Sequence, residues 1–87
     1  MQLGEPASYL TLSEGTRVFA SGGEEVGKVA EVVAAVEQDI FEGIAIAPRH
    51  GIGRRRFAAA DQIAEIGSKG VLLSLDAAAC DSLHEPR

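Results

Sequence analysis

A small all-β barrel of about six short strands with a short C-terminal helix is the fold this sequence predicts, on three observations. Runs rich in strand formers alternate with close turn signals, among them Ser21-Gly22-Gly23-Glu24 and Gly67-Ser68-Lys69-Gly70. The apolar content is aliphatic: 46% of residues are hydrophobic, yet there are three Phe, one Tyr and no Trp to supply large buried areas. The length of 87 residues suits one domain, for which surface scaling gives roughly 63% of the chain's surface buried on folding. The expected division is an N-terminal arm over 1–13, a barrel core over about 14–75 and a helix over about 76–84.

The arm contains Gly4, Pro6 and the alternation Tyr9-Leu10-Thr11-Leu12, which predicts a short strand with Leu10 and Leu12 on one face. Thr16 to Ala20 predicts a strand, and the glycine pair after it a hairpin turn. In the next segment Val26, Val29, Val33 and Val36 recur at helical spacing. Five valines in eleven residues and a position just after a glycine turn favour a strand instead, with Gly27 as a bend or bulge. Glu37-Gln38-Asp39 reads as a polar turn. The strand from Ile40 to Ala47 sets Ile44 and Ile46 against Phe41, Gly43, Ala45 and Ala47, so both its faces are apolar.

Residues 48–53 read as a loop. Arg54 to Ala58 predicts a strand, Ala59 to Gln62 a turn, and Ile63 to Ile66 and Val71 to Leu75 the last two strands. Asp76 then caps an alanine-rich helix with Leu75, Ala79 and Leu83 along one face.

Three stretches stand out together: Gly27-Lys28-Val29-Ala30-Glu31-Val32, the Ile- and Ala-rich partner strand, and Phe57-Ala58-Ala59-Ala60-Asp61-Gln62-Ile63-Ala64-Glu65-Ile66-Gly67 followed by Gly70-Val71-Leu72-Leu73. In these the chain resembles the PRC-barrel family. The resemblance implies a small β-barrel that acts as an adaptor or docking module, often as a dimer, with no shared catalytic residues. It also favours the strand reading of 26–36.

Function classes narrow accordingly. One cysteine, Cys80, excludes an intrachain disulfide, and with His50 and His84 it cannot supply a four-ligand Cys/His zinc site. Cys80 and His84 stand four apart, half a metal site, and a packed thiol is the favoured reading. Gly51-Ile52-Gly53 lacks the third glycine of a dinucleotide fingerprint and reads as a loop tip, and Gly27-Lys28 lacks the Ser/Thr of a phosphate-binding loop. No acid–base pair or nucleophile stands out, so the chain is expected to be non-enzymatic and to need no cofactor or metal. The first residues lack a basic stretch followed by an apolar one, and the apolar runs are too short to span a bilayer. A cytoplasmic protein without a membrane span is the expectation.

Charge is uneven within a formal net −5: residues 1–48 hold two bases and eight acids, and 49–87 hold six bases and five acids. Arg49, Arg54, Arg55 and Arg56 form a basic spot suited to carboxylate or phosphate. Salt bridges to Glu24, Glu31, Glu37 or Glu42 are the favoured reading, then an acidic protein surface. RNA or nucleotide binding is the alternative, disfavoured because an acidic chain repels a polyanion. The smooth outward strip of Phe41, Ala45 and Ala47 predicts either a cover from the chain's own arm or helix, or a homodimer surface.

Overall fold

The computed structural model describes residues 2–49 and 53–84; the expected loop tip at Gly51 and Ile52, and His50 with it, lie outside the described residues. Six strands form one curled, half-barrel sheet in the order β4-β3-β2-β1-β6-β5, and a short helix follows. The strands are β1 (Arg17–Phe19), β2 (Glu25–Ala35), β3 (Ile40–Pro48), β4 (Arg56–Ala59), β5 (Ile63–Gly67) and β6 (Gly70–Leu73), and the helix is α1 (Ala77–Asp81). All neighbours pair antiparallel except β1 and β6, which are parallel. The all-β class, the strand count and the C-terminal helix agree with the sequence reading.

The inner face of the curl is the core. Val18, Val29, Ile44, Val71 and Leu73 are its largest fully buried side chains, with Ala20, Ile46, Ala58 and Cys80 completing the cluster. Aliphatic packing of this kind matches a sequence poor in aromatics, at about 1.5–3 kcal/mol for each fully buried large side chain.

Four irregularities set which side chains reach that core, because an extra residue in one strand moves everything beyond it to the other face. Between Val18/Phe19 and Gly27/Glu25 the unmatched residue is Val26. Between Val29 and Glu31, opposite Ile46 and Ala45, it is Ala30. Between Gly43 and Phe41, opposite Val33 and Ala34, it is Glu42, and in β5 it is Ala64. Bulges at Val26 and Ala30 convert the strand's period of two into steps of three, so Val26, Val29 and Val32 all pack on the core. This is the physical source of the helix-like valine spacing. Val33 and Val36, the later members of that helical series, are not in the core, and Val36 is 63% exposed.

Three expectations are corrected. The arm forms a 3₁₀ turn over Tyr9–Thr11 rather than a strand, because Ser8 Oγ accepts the Leu10 amide at 3.2 Å and bends the chain out of extension. Leu12 consequently packs on the core while Leu10 is 60% exposed. The strand expected from Arg54 begins at Arg56. The helix ends at Asp81, short of the expected 84, although Asp76 caps it as foreseen, accepting the Ala79 amide at 2.8 Å.

Both edges of the sheet are partly closed by the chain's own ends. Along β5, Pro6 bridges Gly67 and the Ala7 amide donates to the Ile66 carbonyl at 3.0 Å. Along β4, the Phe57 amide donates to the His84 carbonyl at 2.8 Å and the Ala59 amide to Gln62 Oε1 at 2.9 Å. Occupied amides leave little of β4 to template another strand.

Candidate docking surface

The residues proposed from sequence divide between two places. Arg49 follows β3 and is exposed, as are Arg54 and Arg55 before β4. Arg56 pairs in register with Ile46, faces the inner side and is half-buried, donating to the Leu83 carbonyl at 3.5 Å. Arg54 and Arg56 line a cavity of about 220 Å³, with Val26, Ile46, Cys80 and Leu83 among its walls. The four arginines therefore do not share one strand face. A salt bridge at 3.7 Å joins Arg17 to Glu25.

Cys80 is 4% exposed, with its thiol directed at the Leu75 carbonyl at 3.9 Å. Burial raises its pKa, and the charges of Asp81, Asp76 and Glu24 add to the effect. That environment suits an inert packing thiol. His84 lies beyond the end of α1, so the i,i+4 helical spacing with Cys80 is not realised. Among the described residues, no group of three or more His, Cys, Asp or Glu gathers as a metal site.

The outward strip is rearranged relative to expectation. The bulge at Glu42 carries Phe41 to the inner side, where it packs on the core and stacks on Tyr9 with ring centroids 4.9 Å apart. The chain's own arm thus covers Phe41. Asp39, in a left-handed conformation at φ 54°, accepts the Tyr9 hydroxyl at 2.9 Å and ties the arm to the β2–β3 hairpin. That hydrogen bond, then desolvation and the Asp39 charge, raises the Tyr9 phenol above its ordinary value of 10.0.

Ala45 does stay on the outer face, opposite Glu31 on β2 and Phe57 on β4, yet it is only 1% exposed. Its cover is local. A Cβ built on Gly43 would come within 2.7 Å of Phe57 Cζ and would also strike the Ala58 carbonyl oxygen, so the Phe57 ring reaches along the outer face to Gly43. Such diagonal reach is ordinary for an aromatic across a strand pair. Ala45 is therefore screened, and Ala47 remains half-exposed.

Register places Ala35 with Ile40, Val33 with Gly43, Glu31 with Ala45, and Lys28 with Ala47 on this outer face, with Phe57 beside Ala45. Val33, Ala35, Ala47 and Phe57 keep part of their surface in solvent, and Ile40 is 48% exposed. Sequence reasoning missed Val33, Ala35, Ile40 and Phe57. The signal was present in the valine spacing, which marks bulges once the segment is known to be a strand. The chain matches no protein-family model and no curated protein. No helix among the described residues is long and apolar enough to cross a membrane.

Proposed function

We propose that this chain is a PRC-type docking barrel: a non-enzymatic, cytoplasmic module that binds protein through the outer face of β2, β3 and β4. One observation carries the reading: on the side of the strands opposite the core, Val33, Ala35, Ile40, Ala47 and Phe57 leave apolar surface in solvent around the single acid Glu31. Exposed apolar surface rimmed by charge marks interaction sites. The PRC-barrel assignment itself rests on the glycine-lysine-valine strand and the Ile-Gly turn together with the six-stranded arrangement.

The outer face is favoured over the edges, where the terminal segments already bond to β4 and β5. It is also favoured over the arginines as an RNA or nucleotide site, because Arg56 is tied to the Leu83 carbonyl on the inner side. The test is a comparison of proteins captured from the source cells by the native chain and by Val33→Glu, both checked for equal thermal stability. A protein lost specifically with Val33→Glu supports the reading, whereas identical capture by both contradicts it.

A further inference from the structure

The cavity lined by Arg54 and Arg56 is on the inner side of the sheet, away from the outer face of β2, β3 and β4. Its apolar walls, Val26, Ile46, Cys80 and Leu83, belong to the core cluster or pack against it. Arg56 pairs with Ile46, two residues before the fully buried Ala58, so a cation occupies an inward-facing position of β4. Its guanidinium carries five N–H donors. Among the described residues Arg56 makes no ion pair and one hydrogen bond, to the Leu83 carbonyl at 3.5 Å, longer than the usual range of about 2.7–3.2 Å. No fully buried side-chain nitrogen or oxygen among those residues lacks a partner, so the other nitrogens of this guanidinium still reach open space. A half-buried charge beside apolar walls is costly unless an anion or water meets it.

We propose that this cavity binds a small monocarboxylate with a short aliphatic chain, its carboxylate on the Arg56 guanidinium and its chain against Val26, Ile46 and Leu83. Three features select that class. The planar guanidinium fork matches a carboxylate, which it can hold by two parallel bonds. The volume of about 220 Å³ is below the roughly 300–1,000 Å³ of pockets for drug-sized ligands, and the apolar walls favour an alkyl chain over a bare inorganic ion. Asp81 shares the lining, and within a chain of net −5 it favours a single negative charge over the two of phosphate. An inward-pointing charge on an edge strand such as β4 can also serve to deter strand addition, a role that needs no ligand and that the experiment separates from binding.

Backbone amide spectra of the full chain, titrated with hexanoate, hexanamide, acetate and inorganic phosphate, test the assignment. Hexanoate is expected to shift the amides of Val26, Ile46, Arg56 and Leu83 saturably, with a Kd on the order of 1 mM. Hexanamide lacks the charge and acetate lacks the chain, so each should bind about tenfold more weakly or worse, and phosphate should leave these amides unmoved. Arg56→Met keeps the side-chain length and suits the apolar walls; it should weaken hexanoate binding about tenfold or more. Asp81→Asn, at the exposed end of α1, should tighten binding several-fold by removing a repulsion. Melting temperature checks the fold of both variants, and if Arg56→Met does not fold, Asp81→Asn and the comparison of hexanoate with hexanamide decide the matter. Val33→Glu, on the opposite face, should bind hexanoate as the native chain does, which keeps this test separate from the docking reading. Three results each overturn the site: no saturable shift at these amides up to about 50 mM hexanoate, equal binding of hexanoate and hexanamide, or native affinity in a folded Arg56→Met. The first leaves Arg56 with edge protection alone. Phosphate shifts that match those of hexanoate overturn the carboxylate class.

Discussion

The two faces of β2 and β3 share backbone, pairing and apolar character, yet they differ in how far they are covered. Inward, Val29, Ile44 and Ile46 are almost completely buried and join Val18, Val71 and Leu73 in one cluster. Outward, Val33, Ala35 and Ala47 are smaller or only half-covered, and Ile40 is about half in solvent at 48%. The fold needs the first face. The second is more apolar than a solvated barrel surface requires, and that excess is what supports proposing it as a recognition surface.

The largest way to break this comparison is a truncation on each face. Leu73→Ala should cost about 2–5 kcal/mol in denaturant unfolding, because it leaves a cavity among fully packed neighbours. Val33→Ala should cost roughly 0.5 kcal/mol or less, as a substitution on a partly exposed surface. Comparable losses at the two sites would erase the distinction between them. Next in size is Gly43→Ala, expected to lose about 1–3 kcal/mol through overpacking. Its Cβ would meet the Ala58 carbonyl oxygen and the Phe57 ring, and its φ of 154° disfavours an L side chain. An unchanged midpoint would show that Phe57 does not lie across the outer face as described.

The smallest effect sharpens the contrast at the inner, tip end, where Tyr9 covers Phe41. Tyr9 is the single tyrosine, so absorbance titration reports it alone. Its phenol should ionise above 10.0, mainly through the bond to Asp39, and Asp39→Asn should bring it back toward the ordinary value. Because the folded pKa is raised, this contribution to stability is complete below the unfolded pKa and disappears as pH rises through the folded one. A native titration at the ordinary value would show that the Tyr9–Asp39 bond does not persist.

Much of the scaffold was legible because it is written in local chemistry. Glycine turns at Ser21–Glu24 and Gly67–Gly70, the polar turn before Ile40 and the Asp76 cap all act within a few residues of their own positions. The faces were harder to read. Strict alternation puts Phe41 beside Ala45 and Ala47, but the unmatched Glu42 reverses Phe41 to the inner side, and register of this kind is decided by the partner strand. The Tyr9 stack and the Phe57 ring over Gly43 join residues 32 and 14 positions apart, beyond any local pattern. The arginine run illustrates the same limit, since the start of β4 at Arg56 leaves Arg54 and Arg55 outside the strand whose alternation was used to separate them.

The proposal that the outer face of β2–β3–β4 is a recognition surface is tested most directly by comparing the proteins captured by the native chain and by Val33→Glu at matched melting temperature. The account predicts a protein held by the native chain and lost with Val33→Glu. Identical capture by the two chains would contradict it.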